Sequence, residues 1–144
     1  MDITQFRKID ALGRLKRTAI FEAAPPEVPA TESEIAAIES AMNIKISNKY
    51  KQFLTEFGGG NYGLAIIFSA KKNSEWYLPA QVIKTRGYLP PDYLPVSDDF
   101  SGGVYCQKLK DFGACEEIYY WNLDGGILKT DYSDIFELIG NTAY

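Results

Sequence analysis

The chain reads as an α+β domain: amphipathic helices first, then a mainly antiparallel β-sheet, then a closing helix. Three observations predict this. Apolar residues recur at helical spacing as far as Phe57 and at strand spacing after Gly63. The second half is divided by turn-forming runs at short intervals. A last helical pattern surrounds Phe136.

From Ile3 to Phe21 the apolar positions Phe6, Ile9, Leu12, Leu15, Ala19 and Ile20 recur every three to four residues. They predict an amphipathic helix with a bend near Gly13. Arg7, Lys8, Arg14, Lys16 and Arg17 make its other side basic, which reads as a solvated face rather than a nucleic-acid or membrane surface. Ala23–Ala30, AAPPEVPA, cannot continue a helix and reads as a stiff connector. Thr31 and Glu34 then form a capping box ahead of Ile35, Ile38 and Met42. Asn43 or Lys45 ends that helix, and Ser47 or Asn48 caps the next.

The stretch Asn48–Gly63, NKYKQFLTEFGGGNYG, is the centre of the pattern. Tyr50, Phe53, Leu54 and Phe57 fall at i, i+3, i+4 and i+7, one stripe of a core helix. Gly58, Gly59 and Gly60 follow the helix rather than precede it. They therefore read as a C-cap and not as a phosphate cradle, which needs the N–H groups of a helix start.

Beyond Gly63, Leu64–Phe68 is a strand, and Tyr77–Ile83 reads as a second strand interrupted at Pro79. KKNSE between them is a loop, and Tyr88–Pro95 a proline-punctuated crossing over the surface. Leu94–Ser97 leads into a turn by composition, Asp98–Gly103. Val104–Leu109 and Glu116–Asn122 are strands joined through KDFGAC. Asp124, Gly125 and Gly126 signal a tight hairpin before Ile127–Lys129. Asp131 or Ser133 caps the closing helix of Ile135, Phe136, Leu138 and Ile139.

Composition narrows the function. At 144 residues the chain is read as one domain, residues 1–144, with 1–30 a helix and connector ahead of a core at 31–139. It has no histidine, which removes Ser-His-Asp and Cys-His nucleophilic systems and the commonest zinc ligand. No catalytic residue, metal site or cofactor is assigned. Cys106 and Cys115 flank a hairpin and read as buried free thiols. With no apolar leader and no long apolar run, the expectation is a cytoplasmic protein that does not enter a membrane.

Net charge is −4 but uneven. Residues 1–72 carry ten basic and eight acidic groups, residues 73–144 five and eleven. The acidic second half disfavours nucleic acid as a direct ligand and suits a basic protein partner. Ten tyrosines supply apolar area with polar tips, suited to recognition. The candidate partner-binding residues are Asn61, Tyr62, Trp76, Asp98, Asp99, Glu116, Glu117 and Asp124. Trp76 is the expected exposed anchor and Trp121 the core tryptophan.

The order of motifs resembles the SUKH superfamily, which includes fungal cell-wall-synthesis regulators and many bacterial immunity proteins. The resemblance rests on Ile38-Glu39, YKQFLTEFGGG at 50–60, VSDDFSGGVY at 96–105, IYYWNLD at 118–124 and the closing helix around Phe136. It covers roughly residues 31–139. Where members usually have Leu-Pro before the central helix, this chain has Ile46-Ser47. The resemblance implies a non-catalytic immunity protein that binds and blocks a cognate polymorphic toxin, a basic nuclease domain. A regulatory or scaffold module is the alternative. It also implies that Asp98 caps its turn and that Asp99 is exposed.

Overall fold

The computed structural model describes all 144 residues. Helices α1 (Ile3–Lys16), α2 (Thr18–Ala23), α3 (Glu32–Met42) and α4 (Asn48–Glu56) precede strands β1 (Gly60–Tyr62) and β2 (Ala65–Ile67). Helix α5 (Leu78–Thr85) follows, then β3 (Tyr93–Asp98), β4 (Val104–Lys110), β5 (Gly113–Ala114), β6 (Tyr119–Asn122) and β7 (Gly126–Lys129), and α6 (Ile135–Thr142) closes the chain. The sheet runs β1-β2-β3-β4-β6-β7, every neighbour antiparallel, with β5 paired to β4. The α+β class is therefore the fold.

The central helix stands as its spacing predicts. Tyr50, Phe53 and Leu54 are fully buried, and Tyr50 donates to the Phe68 carbonyl at 2.6 Å. Phe57, at the C-cap, is half-buried against Phe6, Phe53 and Tyr62. Phe6 of α1 stacks on Phe136 of α6 at 4.8 Å, so the first and last helices close over the same aromatic centre. Such ring pairs each contribute about 0.5–1.5 kcal/mol beyond their area burial. The capping box of α3 is present, Thr31 with Glu34, and Asn43 ends the helix at φ 51°.

The glycine triplet does more than cap. Gly58, at φ 81°, is the left-handed residue that ends α4, but Gly60 already begins β1. The connector lies directly against both: a Cβ on Gly58 would strike the Glu27 carbonyl, and one on Gly60 would meet the Glu27 carboxylate at 2.5 Å. That carboxylate accepts from the Ser69 and Ser74 hydroxyls. The proline-rich segment is thus a strap pinned across the glycines, possible only because side chains are missing there.

Several elements differ from expectation. The first helix breaks at Arg17 rather than bending at Gly13, and its inner face is Phe6, Asp10 and Gly13. Leu12 and Leu15 are exposed, because the helix turns Gly13 inward against the Tyr144 ring and leaves them on its outer side. Residues 78–85 form α5, not a strand. Pro79 sits in the first turn, where its missing N–H has no intrahelical partner to lose. Leu78, Gln81 and Thr85, at i, i+3 and i+7, are its buried face. The crossing at 88–95 becomes β3 from Tyr93 onward, and β6 begins at Tyr119 rather than Glu116.

The closing helix is capped by Asp134, not by Asp131 or Ser133. Asp134 is 1% exposed and accepts from the Glu137 N–H, Lys49 Nζ and the Met1 amino group at 2.8–2.9 Å. Burial pushes its carboxyl up, but these donors outweigh burial and hold it below its ordinary value.

Candidate functional site

Antiparallel pairing places three hairpin tips at one end of the sheet. Tyr62 pairs with Ala65, Asp98 with Val104, and Asn122 with Gly126, while Ile66 lies beside Asp98 and Val104 beside Trp121. The tips Gly63–Leu64, Asp99–Gly103 and Leu123–Gly125 therefore share an edge, spaced about 10 Å apart by two strand separations. Each presents an apolar side chain to solvent: Leu64, Phe100 and Leu123, the last 86% exposed.

The middle tip is rigid. Asp98 accepts from the Phe100 N–H at 2.7 Å, and Asp99 accepts from the N–H groups of Ser101 at 2.7 Å and Gly103 at 2.8 Å. These are Asx turns, which fold the backbone back on the side chain. They hold Phe100 at φ 64°, a conformation a phenylalanine rarely adopts, with its ring outward. Asp99 also accepts from the Tyr120 hydroxyl on β6. Burial pushes the Asp99 carboxyl up. The hydrogen bonds from Tyr120, Ser101 and Gly103 together prevail and lower it. The same bond, with burial second, raises the Tyr120 phenol to about 12.

Both faces of the sheet behind the tips carry aromatics. Directly opposite residues share a face, so Tyr105 and Tyr120 lie together at 4.9 Å between ring centres, with Tyr132 beside Tyr105. On the other face Asp98, Val104 and Trp121 are in register, and Tyr88 stacks on Trp121 at 4.2 Å. Burial, and then the negative field of Asp98, raise the Tyr88 phenol. The site is thus an acidic rim, Asp98, Asp99 and Asp124, set on half-exposed tyrosine and tryptophan.

The expected site residues divide three ways. Asp98, Asp99 and Asp124 come together at the tips, with Asn61 close by, half-buried on β1. Asp99 is not the free neighbour of a capping Asp98: both cap the turn, and Asp99 is tied further to Tyr120. Tyr62 is withdrawn from the surface. It is 0% exposed, donates to Asp10 at 2.5 Å and accepts from Arg14 at 2.9 Å. Trp76, Glu116 and Glu117 lie toward the other end. Trp76 stacks on Phe68 against the core. Glu116 reaches the start of α4, where it accepts weakly from the Lys49 N–H at 3.4 Å and serves the helix dipole. Glu117 alone of these three is exposed.

Trp121, expected in the core, is instead half-exposed behind the tips, with its ring on Tyr88. It follows Tyr119 and Tyr120 in an aromatic run with no apolar/polar alternation, so the sequence does not tell an inner face from an outer one, and every residue of the strand is half-buried. The signal was the hairpin Asp124-Gly125-Gly126 immediately beyond, which places Trp121 one residue from a tip. Both cysteines are free; Cys106 is buried, its thiol pushed up to about 12, and Cys115 is half-buried. The carboxylates do not gather into a group that could hold a metal ion. No helix is long and apolar enough to cross a membrane.

Comparison with known proteins extends the fold match. The model of the SMI1 / KNR4 family (SUKH-1) matches residues 29–141. A crystal structure of a protein from Pseudomonas syringae pv. tomato superposes with a TM-score of 0.73 over 95% of this chain and 97% of that one, at 17% sequence identity, a likeness of fold. No curated protein matches the sequence.

Proposed function

The chain belongs to the SMI1 / KNR4 family (SUKH-1), and on that premise we propose that it is an immunity protein that binds and blocks a cognate toxin in the cytoplasm. The partner surface is the hairpin-tip end of the sheet. One observation carries this reading: three tips converge there, each with an exposed apolar residue, on a rim whose charged groups Asp98, Asp99 and Asp124 are all acidic. A basic nuclease domain fits that rim. Carboxylates presented on a rigid loop take the place of phosphates in a substrate groove, and the flanking aromatics exclude water around them. The protein acts stoichiometrically, by occlusion, and needs no catalytic group or cofactor.

Co-expression with nuclease toxin domains drawn from the genome that encodes this chain tests the proposal. Rescue of growth and a one-to-one complex in gel filtration are the expected results. The double variant Asp98→Asn, Asp124→Asn should bind about tenfold more weakly and with a flatter salt dependence. An unchanged affinity and salt slope would remove the electrostatic mechanism, and failure to protect would remove the immunity role.

A further inference from the structure

A second surface lies at the opposite end of β3 and β4 from the tips. There the end of α3, the outer face of α5, the loop 89–91 and the start of β3 enclose a groove of about 460 Å³. Met42, Val82, Ile83, Leu94 and Leu109 line it, and Ile83 is 62% exposed. Pro79, Pro90, Pro91 and Pro95 stiffen its walls, so little conformational freedom is lost when something enters. Its volume and apolar lining are those of a binding groove rather than of a packing defect.

Charge says what the groove accepts. Arg86 is the one charged residue in its lining, and no carboxylate lines it. Around it Lys45, Lys84, Lys108 and Lys110 are exposed, against Asp92 and Asp111. Of the five basic residues in the acidic second half of the chain, four stand here. The tips of β3–β4 and β6–β7 are thus acidic while the surroundings of the groove are basic, so one basic partner does not match both.

We propose that this groove docks a short acidic segment of a protein, seating large apolar side chains between α5 and β3 while a carboxylate pairs with Arg86. Apolar anchors supply the affinity, and the guanidinium, with its fixed fork of donors, selects a carboxylate and sets the register. The surface is separate from the hairpin tips and does not rest on the toxin reading.

Panning a display library of random twelve-residue peptides against the full-length protein tests it. Enriched peptides should combine Asp or Glu with two or three Leu, Ile, Phe or Trp. They should shift the backbone amide resonances of Val82, Ile83, Arg86 and Leu109, and leave those of Phe100 and Leu123 in place. Arg86→Glu should weaken them at least tenfold, Val82→Asp should abolish binding, and Asp98→Asn, Asp124→Asn should have no effect. The proposal is overturned if no peptide is enriched, if the enriched peptides are neutral or basic, if they shift the tip resonances instead, or if Arg86→Glu, folded by its amide spectrum, binds them as well as the native chain. A titration with dodecanoate separates the remaining source of this chemistry: shifts confined to the groove with the fatty acid, and no acidic peptide enriched, would assign it to a lipid and overturn the protein segment.

Discussion

The Tyr120 hydroxyl donates to the Asp99 carboxylate across the strand pair β4–β6, directly over Gly103. A Cβ at Gly103 would occupy the place of that hydroxyl, so the glycine is required by close approach and not by backbone conformation. This bond ties the middle hairpin tip to β6 and adds to the Asx turns that set the direction of Phe100.

Replacing Tyr120 or Gly103 should loosen the tip without unfolding the domain. Tyr120→Phe should cost about 1 kcal/mol, the net worth of a hydrogen bond at a half-exposed site. Gly103→Ala should cost about 2 kcal/mol, because the new methyl group forces the bond apart. Urea unfolding gives both values, and hydrogen exchange at Ser101 and Gly103 should accelerate in both variants.

Acid should destabilise the protein through Asp99 and Asp134. Both carboxyls are held below their ordinary value in the folded state. A depressed folded pKa stabilises at every pH above the unfolded value of about 3.9, and that contribution disappears as pH falls through the folded value. Stability should therefore be flat near neutrality and fall steeply below about pH 4. In Asp134→Asn the neutral-pH stability should drop and the acid limb should flatten, as read from denaturation midpoints between pH 2 and 7.

The strap across the glycines should be sensitive to single methyl groups. Gly58→Ala combines a positive φ with a collision against the Glu27 carbonyl, and should cost more than about 2 kcal/mol. Glu27→Gln keeps the shape but weakens the bonds from Ser69 and Ser74, at a cost of about 1 kcal/mol. Limited proteolysis should then cut first within residues 24–30.

The two tryptophans should separate stability from binding. Trp76→Ala removes a ring packed on Phe68 and should lower stability by about 3 kcal/mol. Trp121→Ala removes the ring stacked with Tyr88 behind the tips. On the proposed function it should lower partner affinity by about 2 kcal/mol or more, with a smaller loss of stability. The opposite pattern, in thermal melts and calorimetric titrations, would place the anchor at Trp76.

Local signals determined much of the fold. The stripe Tyr50, Phe53, Leu54 and Phe57, the capping box of Thr31 and Glu34, and the hairpin at Asp124–Gly126 depend on residues within one or two turns of each other, so spacing suffices to read them. Pro79 misled because a proline before Val82 and Ile83 suits an interrupted strand as well as a first helical turn, and only the contacts of Leu78, Gln81 and Thr85 choose between them. Leu12 and Leu15 are exposed because α1 turns Gly13 inward to receive the ring of Tyr144, a residue distant in sequence.

For the candidate site the division is the same. The residue types were legible: carboxylates in turns, tyrosines in strands and no histidine. The register of β3, β4 and β6, which brings Asp98, Asp99, Trp121 and Asp124 to one end and carries Glu116 to the start of α4, was decided by tertiary structure alone. Pairing between strands far apart in sequence follows from which faces the core buries, a property of the whole assembly that no local pattern contains.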